Sequence, residues 1–243
     1  MGEEIRVDFN TGSGGGPGAG GSSGGSGVPP PPRVSGGSSS GEFDYGELVP
    51  SFIRTVREVL LNPVGFFRGV PRQGNFLSPL LFAAICALIS AVIGGILGFV
   101  LRLALGNGVA GSFGRLISTV IGAPISTIIG LFIGAAIYHL LVLLLVRPRH
   151  EGYEATFKAL AYASAVNVFS WLVFIPILGI LVVIAIVVYN VVLTVIGIRE
   201  MHATTTGRAV AVVLIPVIVV GLLALLLVGA ILAIIAAALS QSQ

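Results

Sequence analysis

The sequence predicts an all-α fold: a polytopic membrane helical bundle of about five transmembrane helices with a disordered N-terminal tail. Three observations predict it: the composition, the lengths of the apolar runs and the placement of basic residues around them. Of 243 residues, 55% are hydrophobic and 9% are charged, and the mean hydropathy is +1.04. Soluble domains carry about 25% charged residues. A chain this apolar cannot cover a water-facing surface, so we expect it to lie in a lipid bilayer.

The first segment, residues 1–46, is expected to be a disordered cytoplasmic tail. Glycine, serine and proline dominate it as far as residue 41. Such a segment cannot bury enough apolar surface to offset the entropy lost on ordering. Its proline run, residues 29–32, is more typical of a stiff linker than of a docking site. No apolar stretch follows Met1, so no cleavable signal peptide is expected.

Residues 47–76 are expected to form an amphipathic region at the membrane surface. Apolar residues recur at helical spacing between Glu47 and Leu61, with arginines among them. Asn62 and Pro63 should end this helix. Two phenylalanines and two arginines follow, just before the first apolar run, as is typical of a helix in the headgroup layer. The alternative is a solvated connecting helix packed on the bundle.

The membrane domain, residues 77–239, is divided by the lengths of its apolar runs. Residues 159–198 are 40 residues without a charged side chain. As one helix they would be about 60 Å long, twice the hydrocarbon thickness of about 30 Å. We therefore expect two spans joined by a turn at Pro176 and Gly179. The run 116–146 either tilts or has a separate first piece ending at Pro124. The expected spans are 77–101, 116–146, 159–175, 178–198 and 209–239.

The basic residues independently favour five spans. With a cytoplasmic N-terminus, nine basic residues flank the membrane inside and two outside, whereas four spans would give seven against four. The larger asymmetry agrees with the positive-inside rule, and it places the C-terminus outside. The nine are Arg54, Arg57, Arg68, Arg72, Arg147, Arg149, Lys158, Arg199 and Arg208, and the two are Arg102 and Arg115. The preference for arginine over lysine suggests a GC-rich bacterium, and hence its plasma membrane.

Small residues repeat every fourth position in the first two runs, which indicates close helix packing in lipid. The first run contains Ser90, Gly94 and Gly98. The second contains Ser118, Gly122, Ser126, Gly130 and Gly134. We interpret these stripes as facing seams between the first two spans, and the contact could be within one chain or between protomers.

Three polar residues lie well inside the apolar runs. His139 could be a proton relay, but no acidic residue lies in a span beside it, so a neutral, hydrogen-bonded structural histidine is favoured. Asn167 and Asn190 lie on the two arms of the expected hairpin. Reflection about its turn places Asn190 near Ser164, so a hydrogen bond that clamps the arms is favoured over a substrate site.

No catalytic, cofactor-binding or metal site is predicted. The sequence contains no evident Ser/His/Asp set, pair of carboxylates or metal-ligand spacing, and one cysteine cannot form an internal disulfide. His150, Glu151, Glu154 and His202 are interpreted as boundary residues of cytoplasmic loops. The basic residues form scattered clusters rather than one patch, so nucleic acid is not an expected partner.

Several motifs together resemble those of the Yip family of small five-span membrane proteins, in its bacterial form. The resemblance covers about Leu60 to Leu239. The motifs are Ser78-Pro-Leu-Leu-Phe82 at the first span, Gly152 to Ser164 at the third, Ile175-Pro-Ile-Leu-Gly179 at the turn, Val195 to His202 after the fourth, and Thr206-Gly-Arg-Ala209 at the fifth. Eukaryotic members bind Rab-type GTPases and act in vesicle traffic. Their Asp-Leu-Tyr-Gly-Pro motif is only partly present here, at Pro79-Leu80-Leu81, so no GTPase-binding residue is assigned.

The resemblance and the residues together imply a non-enzymatic membrane scaffold or organiser. Its expected partners are the lipid bilayer, a membrane or cytoplasmic protein, and further copies of the chain. The alternative is a small-molecule or ion permease. The small-residue seam favours packing, whereas the absence of acidic residues from the spans counts against ion coupling.

Overall fold

The computed structural model describes residues 42–146, 150–175 and 178–240, and every regular element in them is a helix. The expected tail before residue 42 and the turn residue Pro176 lie outside these ranges. The α-helices are α1 (Leu48–Leu61), α2 (Pro63–Gly69), α3 (Leu77–Ala104), α4 (Val109–Leu145), α5 (Tyr153–Ala163), α6 (Leu178–Met201) and α7 (Thr206–Ser240). Two 3-10 helices, Tyr45–Glu47 and Ser164–Phe174, precede α1 and follow α5.

Five helical segments in the described residues are long and apolar enough to cross a membrane. They are α3, α4, α5 with the 3-10 helix that follows it, α6 and α7. This confirms the five-span bundle expected from the lengths of the apolar runs. The 40-residue apolar run belongs to two separate segments, because one helix of that length would far exceed the bilayer.

The third span changes its helix type halfway. It begins as α5 and continues as a 3-10 helix of 11 residues, Ser164–Phe174, although such helices rarely exceed about four residues. A 3-10 helix rises about 2.0 Å per residue rather than 1.5 Å. The change therefore lengthens the span to about 38 Å, where a continuous α-helix of the same residues would reach about 33 Å.

The second span is one continuous helix rather than two pieces. α4 has 37 residues with Pro124 in its interior, which corresponds to about 55 Å. The run 116–146 therefore does not have a separate first piece that ends at Pro124. A proline inside a membrane helix is tolerated where neighbouring groups satisfy the backbone carbonyl that it leaves free.

α1 and α2 pack against the bundle and are not isolated in solvent. α1 buries Ser51, Thr55 and Val59, and α2 buries both of its phenylalanines. Asn62 separates the two helices, and its side-chain oxygen accepts a hydrogen bond from the Gly65 amide at 3.2 Å. The opposite face of α1 is exposed; it carries Val49, Ile53, Arg54, Arg57 and Leu61.

Candidate functional site

The most buried charge in the described bundle is Lys158, the only lysine in the chain. Sequence analysis placed it just before the third span, expected at residues 159–175. The helix begins earlier, because α5 starts at Tyr153 and carries Lys158 inside the bundle. Its ammonium lies 3.2 Å from a carboxylate oxygen of Glu42 and 3.2 Å from one of Glu154. It also donates a hydrogen bond of 2.8 Å to the carbonyl of Pro71.

These partners come from three separate parts of the chain. Glu42 precedes α1, Pro71 follows α2, and Glu154 lies one helical turn before Lys158 on α5. Glu154 also accepts a 2.7 Å hydrogen bond from the Asn75 amide, just before α3. A charge removed from water is stable only when such partners surround it. The lysine therefore ties both ends of the α1–α2 segment to the third span.

Aromatic packing holds the segment before α1 beside this ion-pair cluster. Phe43 is buried, and its amide donates a 3.3 Å hydrogen bond to the hydroxyl of Tyr162. The Phe82 ring lies between these two side chains, with ring centres 5.8 Å from Phe43 and 5.3 Å from Tyr162. Burial raises the pKa of the Glu42 carboxyl above its ordinary value, although the nearby Lys158 opposes that shift. The neighbouring residues Glu42 and Phe43 thus anchor the chain through one charged and one apolar contact.

All three histidines of the chain meet at the same end of the bundle. The His139 ring centre lies 6.0 Å from that of His150 and 6.4 Å from that of His202. His202 Nε2 lies 2.9 Å from the hydroxyl of Thr156, and this hydroxyl lies 3.0 Å from His139 Nδ1. The Glu151 amide donates to His202 Nδ1 at 3.2 Å. The four residues Glu151, His202, Thr156 and His139 thus form one hydrogen-bonded chain.

Donors and acceptors in this hydrogen-bonded series can be assigned from the Glu151 backbone amide, which can only donate. Because the Glu151 amide donates, His202 Nδ1 accepts, and its proton is on Nε2. His202 then donates to the Thr156 hydroxyl, which also lies within hydrogen-bond distance of His139 Nδ1. His202 is therefore neutral, because its Nδ1 atom carries no proton. Burial, with smaller contributions from His139 and His150, lowers the pKa of His202 to about 4.

We expect His202→Gln to remove one acid-sensitive contribution to folding. Because the pKa of His202 is lower in the folded chain, its contribution is complete above pH about 6.5 and is lost as the pH falls through about 4. The loss for the unaltered chain should reach about 3 kcal/mol. Glutamine can donate and accept without titrating. Unfolding in dodecyl maltoside at pH 7.5, 5.5 and 4 measures the difference, and identical pH profiles for both chains would contradict the assignment.

The small-residue stripe of α3 does not face that of α4, so the interpretation of two facing seams is wrong. A Cβ atom added at Gly94 would lie 3.0 Å from the Phe174 ring, and one added at Gly98 would lie 3.1 Å from it. Both glycines therefore face the third span. The glycine of α3 that does face α4 is Gly95, whose added Cβ would lie 2.7 Å from Leu116. Ser90 lines a cavity of about 400 Å³ together with Gly94 and Gly98.

The stripe on α4 is largely uncovered within the described chain. A Cβ atom added at Gly122 or Gly130 would meet nothing within 4 Å. Ser118 and Ser126 are exposed, and their hydroxyls donate at 3.0 Å to carbonyls of their own helix. Only Gly134, at the far end, approaches another helix, with Leu160 at 3.5 Å from its added Cβ. Among the described residues, a contact within a single chain is therefore present on this stripe only at Gly134.

The two intramembrane asparagines do not bond each other. The Asn190 side-chain amide donates to the carbonyl of Ala163 at 3.2 Å, so it joins α6 to the third span. The contact point is one residue from Ser164, the position expected from reflection about the turn. Asn167 instead lines the 400 Å³ cavity. The acceptor carbonyl lies where the third span changes from α- to 3-10 geometry.

Sequence reasoning missed the ion-pair cluster, although one signal for it was present. Glu154 and Lys158 are four residues apart, which places them on one helix face if the third span begins before residue 159. The sequence analysis assumed that a membrane span contains no lysine and therefore began the third span at residue 159, after both residues. The contribution of Glu42 had no local signal, because it lies 116 residues away from Lys158 in the chain.

Comparison with models of protein families gives a match over most of the chain. The family model described as the Yip1 domain matches residues 57–239, from α1 to the end of α7. Neither the curated proteins nor the solved structures contain a significant match to the chain. The matched range includes Lys158, Glu154 and the histidine cluster, and it leaves Glu42 and Phe43 outside.

Proposed function

The chain belongs to the Yip1 domain family of integral membrane proteins, and from this premise we propose that it is a non-enzymatic membrane scaffold that acts through protein–protein contacts. The uncovered small-residue stripe on α4 carries this proposal. The membrane is the plasma membrane of a bacterium, with the N-terminus cytoplasmic. A reporter fused after Gln243 should then be external, and a cytoplasmic signal would contradict this orientation.

The stripe suits a helix–helix contact because its small residues allow two helix backbones to approach closely in lipid. Lipid tails are as apolar as leucine, so close backbone packing, rather than the hydrophobic effect, drives association. Ser118, Gly122, Ser126 and Gly130 expose only small side chains over about 18 Å of helix. A second copy of the chain can place its own stripe there, because a two-fold axis brings identical patches together. The proposed occupant is therefore α4 of another copy.

We expect Gly130→Leu to abolish this contact while the protomer stays folded. No atom lies within 4 Å of the added Cβ, so the protomer can accept the side chain. The leucine would hold two α4 helices apart. Gly221→Leu is the matched control, because Gly221 on α7 is equally uncovered and outside the stripe. Crosslinking in native membranes, followed by size analysis in mild detergent, should show a dimer for the control and a monomer for Gly130→Leu. An unchanged dimer would contradict the proposal.

The alternative, a small-molecule or ion permease, is favoured by one observation. The cavity of about 400 Å³ lies among three candidate spans and contains polar side chains. A permease must open such a cavity to both sides in turn. Solute flux into vesicles that contain the purified chain, above the flux into empty vesicles, would favour the permease over the scaffold.

A further inference from the structure

The cavity between α3, α4 and the third span carries two charges that nothing in the described chain neutralises. Arg102 lies in the last turn of α3, Arg115 lies near the start of α4, and both line the cavity. No ion pair joins either guanidinium to another described residue. Arg102 is half-buried and Arg115 is exposed, so an anion held at this mouth would meet two positive charges that have no partner among the described residues.

A buried hydroxyl at the same mouth also lacks a partner. Ser112 is 3% exposed, and its Oγ atom makes no hydrogen bond to any described residue. A serine in a helix can normally bond the carbonyl four residues earlier, and a buried polar group without a partner is destabilising. Ser112 lines the cavity with the two arginines. A ligand oxygen there would satisfy the hydroxyl.

Beyond this mouth, the cavity is lined mainly by apolar and small residues without charges. It follows α3 from Arg102 back to Ala87, a distance of about 22 Å. Apolar surface from Phe99, Leu116 and Phe174 alternates with hydroxyls such as that of Thr119. Its volume of about 400 Å³ lies within the range of about 300–1,000 Å³ that is usual for ligand sites. A charged mouth and a long, mostly apolar body match an amphipathic anion.

We propose that this cavity binds an anionic phospholipid, with its phosphate between Arg102 and Arg115 and its acyl region along α3. Guanidinium groups bind phosphate through paired, charge-assisted hydrogen bonds. The Ser112 hydroxyl donates to the phosphate, and deeper hydroxyls reach the ester oxygens. In the proposed orientation the lipid belongs to the external leaflet, because the loop between α3 and α4 is external. This site is distinct from the α4 stripe and does not depend on dimerisation.

The only tryptophan of the chain reports on this site directly. Trp171 lines the cavity, so a lipid with brominated acyl chains should quench its fluorescence. The experiment uses the full chain in dodecyl maltoside, which carries no charge and no phosphate. Brominated phosphatidylglycerol should quench saturably, and unlabelled phosphatidylglycerol should reverse the quenching. Brominated diacylglycerol, which lacks the phosphate, should bind at least about tenfold more weakly.

Variants can distinguish lipid bound in the cavity from lipid that quenches Trp171 by non-specific contact. Arg102→Gln with Arg115→Gln should weaken quenching at least about tenfold. Arg54→Gln with Arg57→Gln removes the same charge from the exposed face of α1 and should leave quenching unchanged. Ser112→Ala should weaken quenching several-fold. It removes no side-chain hydrogen bond to a described residue, so this variant should fold even if the double arginine variant does not.

Three outcomes would overturn the proposal. Equal quenching by the brominated phospholipid and the brominated diacylglycerol would show that the phosphate is not recognised. Displacement of brominated phosphatidylglycerol by millimolar inorganic phosphate would assign the arginines to a free anion instead of a lipid. Unchanged quenching in the double arginine variant, or in Ser112→Ala where the double arginine variant does not fold, would place the lipid elsewhere.

Discussion

Lys158→Met is expected to lower the free energy of unfolding by about 3–5 kcal/mol. The lysine side chain is 0% exposed, and it is the cation beside both Glu42 and Glu154. Methionine has a similar length, so the variant keeps the packing and removes the charge. Two largely buried carboxylates would then face each other without a cation. Unfolding of the purified chain in dodecyl maltoside measures the loss.

Two further variants show whether the charge is the cause. Arg72→Met breaks the pair with Glu151, whose side chains are 44% and 31% exposed, and should cost less than about 1 kcal/mol. Adding Glu42→Gln and Glu154→Gln to Lys158→Met should recover part of the stability, because the remaining side chains are then neutral. A loss for Lys158→Met no greater than that for Arg72→Met would show that the buried ion pair is not a principal anchor.

Gly197→Leu is expected to destabilise the chain by about 3 kcal/mol. A Cβ atom at Gly197 would lie 3.0 Å from the Ala159 Cβ and 3.2 Å from the Phe67 ring. The glycine therefore lets α6 approach both α5 and α2 at one point. Leucine would gain helix propensity of less than about 1 kcal/mol relative to glycine, which is smaller than the cost of the clash. Thermal unfolding in detergent measures the difference.

The control for this position is again a glycine with open space around it. Gly221→Leu makes the same change on α7, where an added Cβ meets nothing within 4 Å, and it should be neutral or slightly stabilising. Gly197→Ala should fall between the two, since its single methyl group already makes the tight contacts. If Gly197→Leu unfolds like the control, then α2 does not depend on this close approach.

Much of the helical architecture could be predicted, because it depends on properties local to the chain. Apolar run length against bilayer thickness predicts five spans, and the 40-residue run has to divide because one helix cannot be that long in lipid. The start of α1 after Glu47 and the break at Asn62 likewise follow from periodicity and proline geometry. The third span ends at Phe174 and α6 begins at Leu178, so the division of this run falls where its length and Pro176 predict it.

The functional surfaces could not be predicted to the same degree. A spacing of four places Gly94, Gly98, Gly122 and Gly130 on helix stripes, but it does not determine the direction in which each stripe points. That direction depends on how α3 rotates against the third span, and Phe174 occupies the surface where α4 was expected. Helix rotation is set by the sum of many side-chain contacts, so it has no signature in one segment.

The sequence by itself therefore determined the membrane environment, the number of spans and the family resemblance, because composition and run length act one segment at a time. The tertiary structure alone decided that Lys158 is buried between Glu42 and Glu154, that three distant histidines meet, and that Arg102, Arg115 and Ser112 share one cavity. Each of these arrangements joins residues from two or more elements of the fold. Their distances depend on how whole helices pack, and the desolvation of a charge is known only once its neighbours are in place.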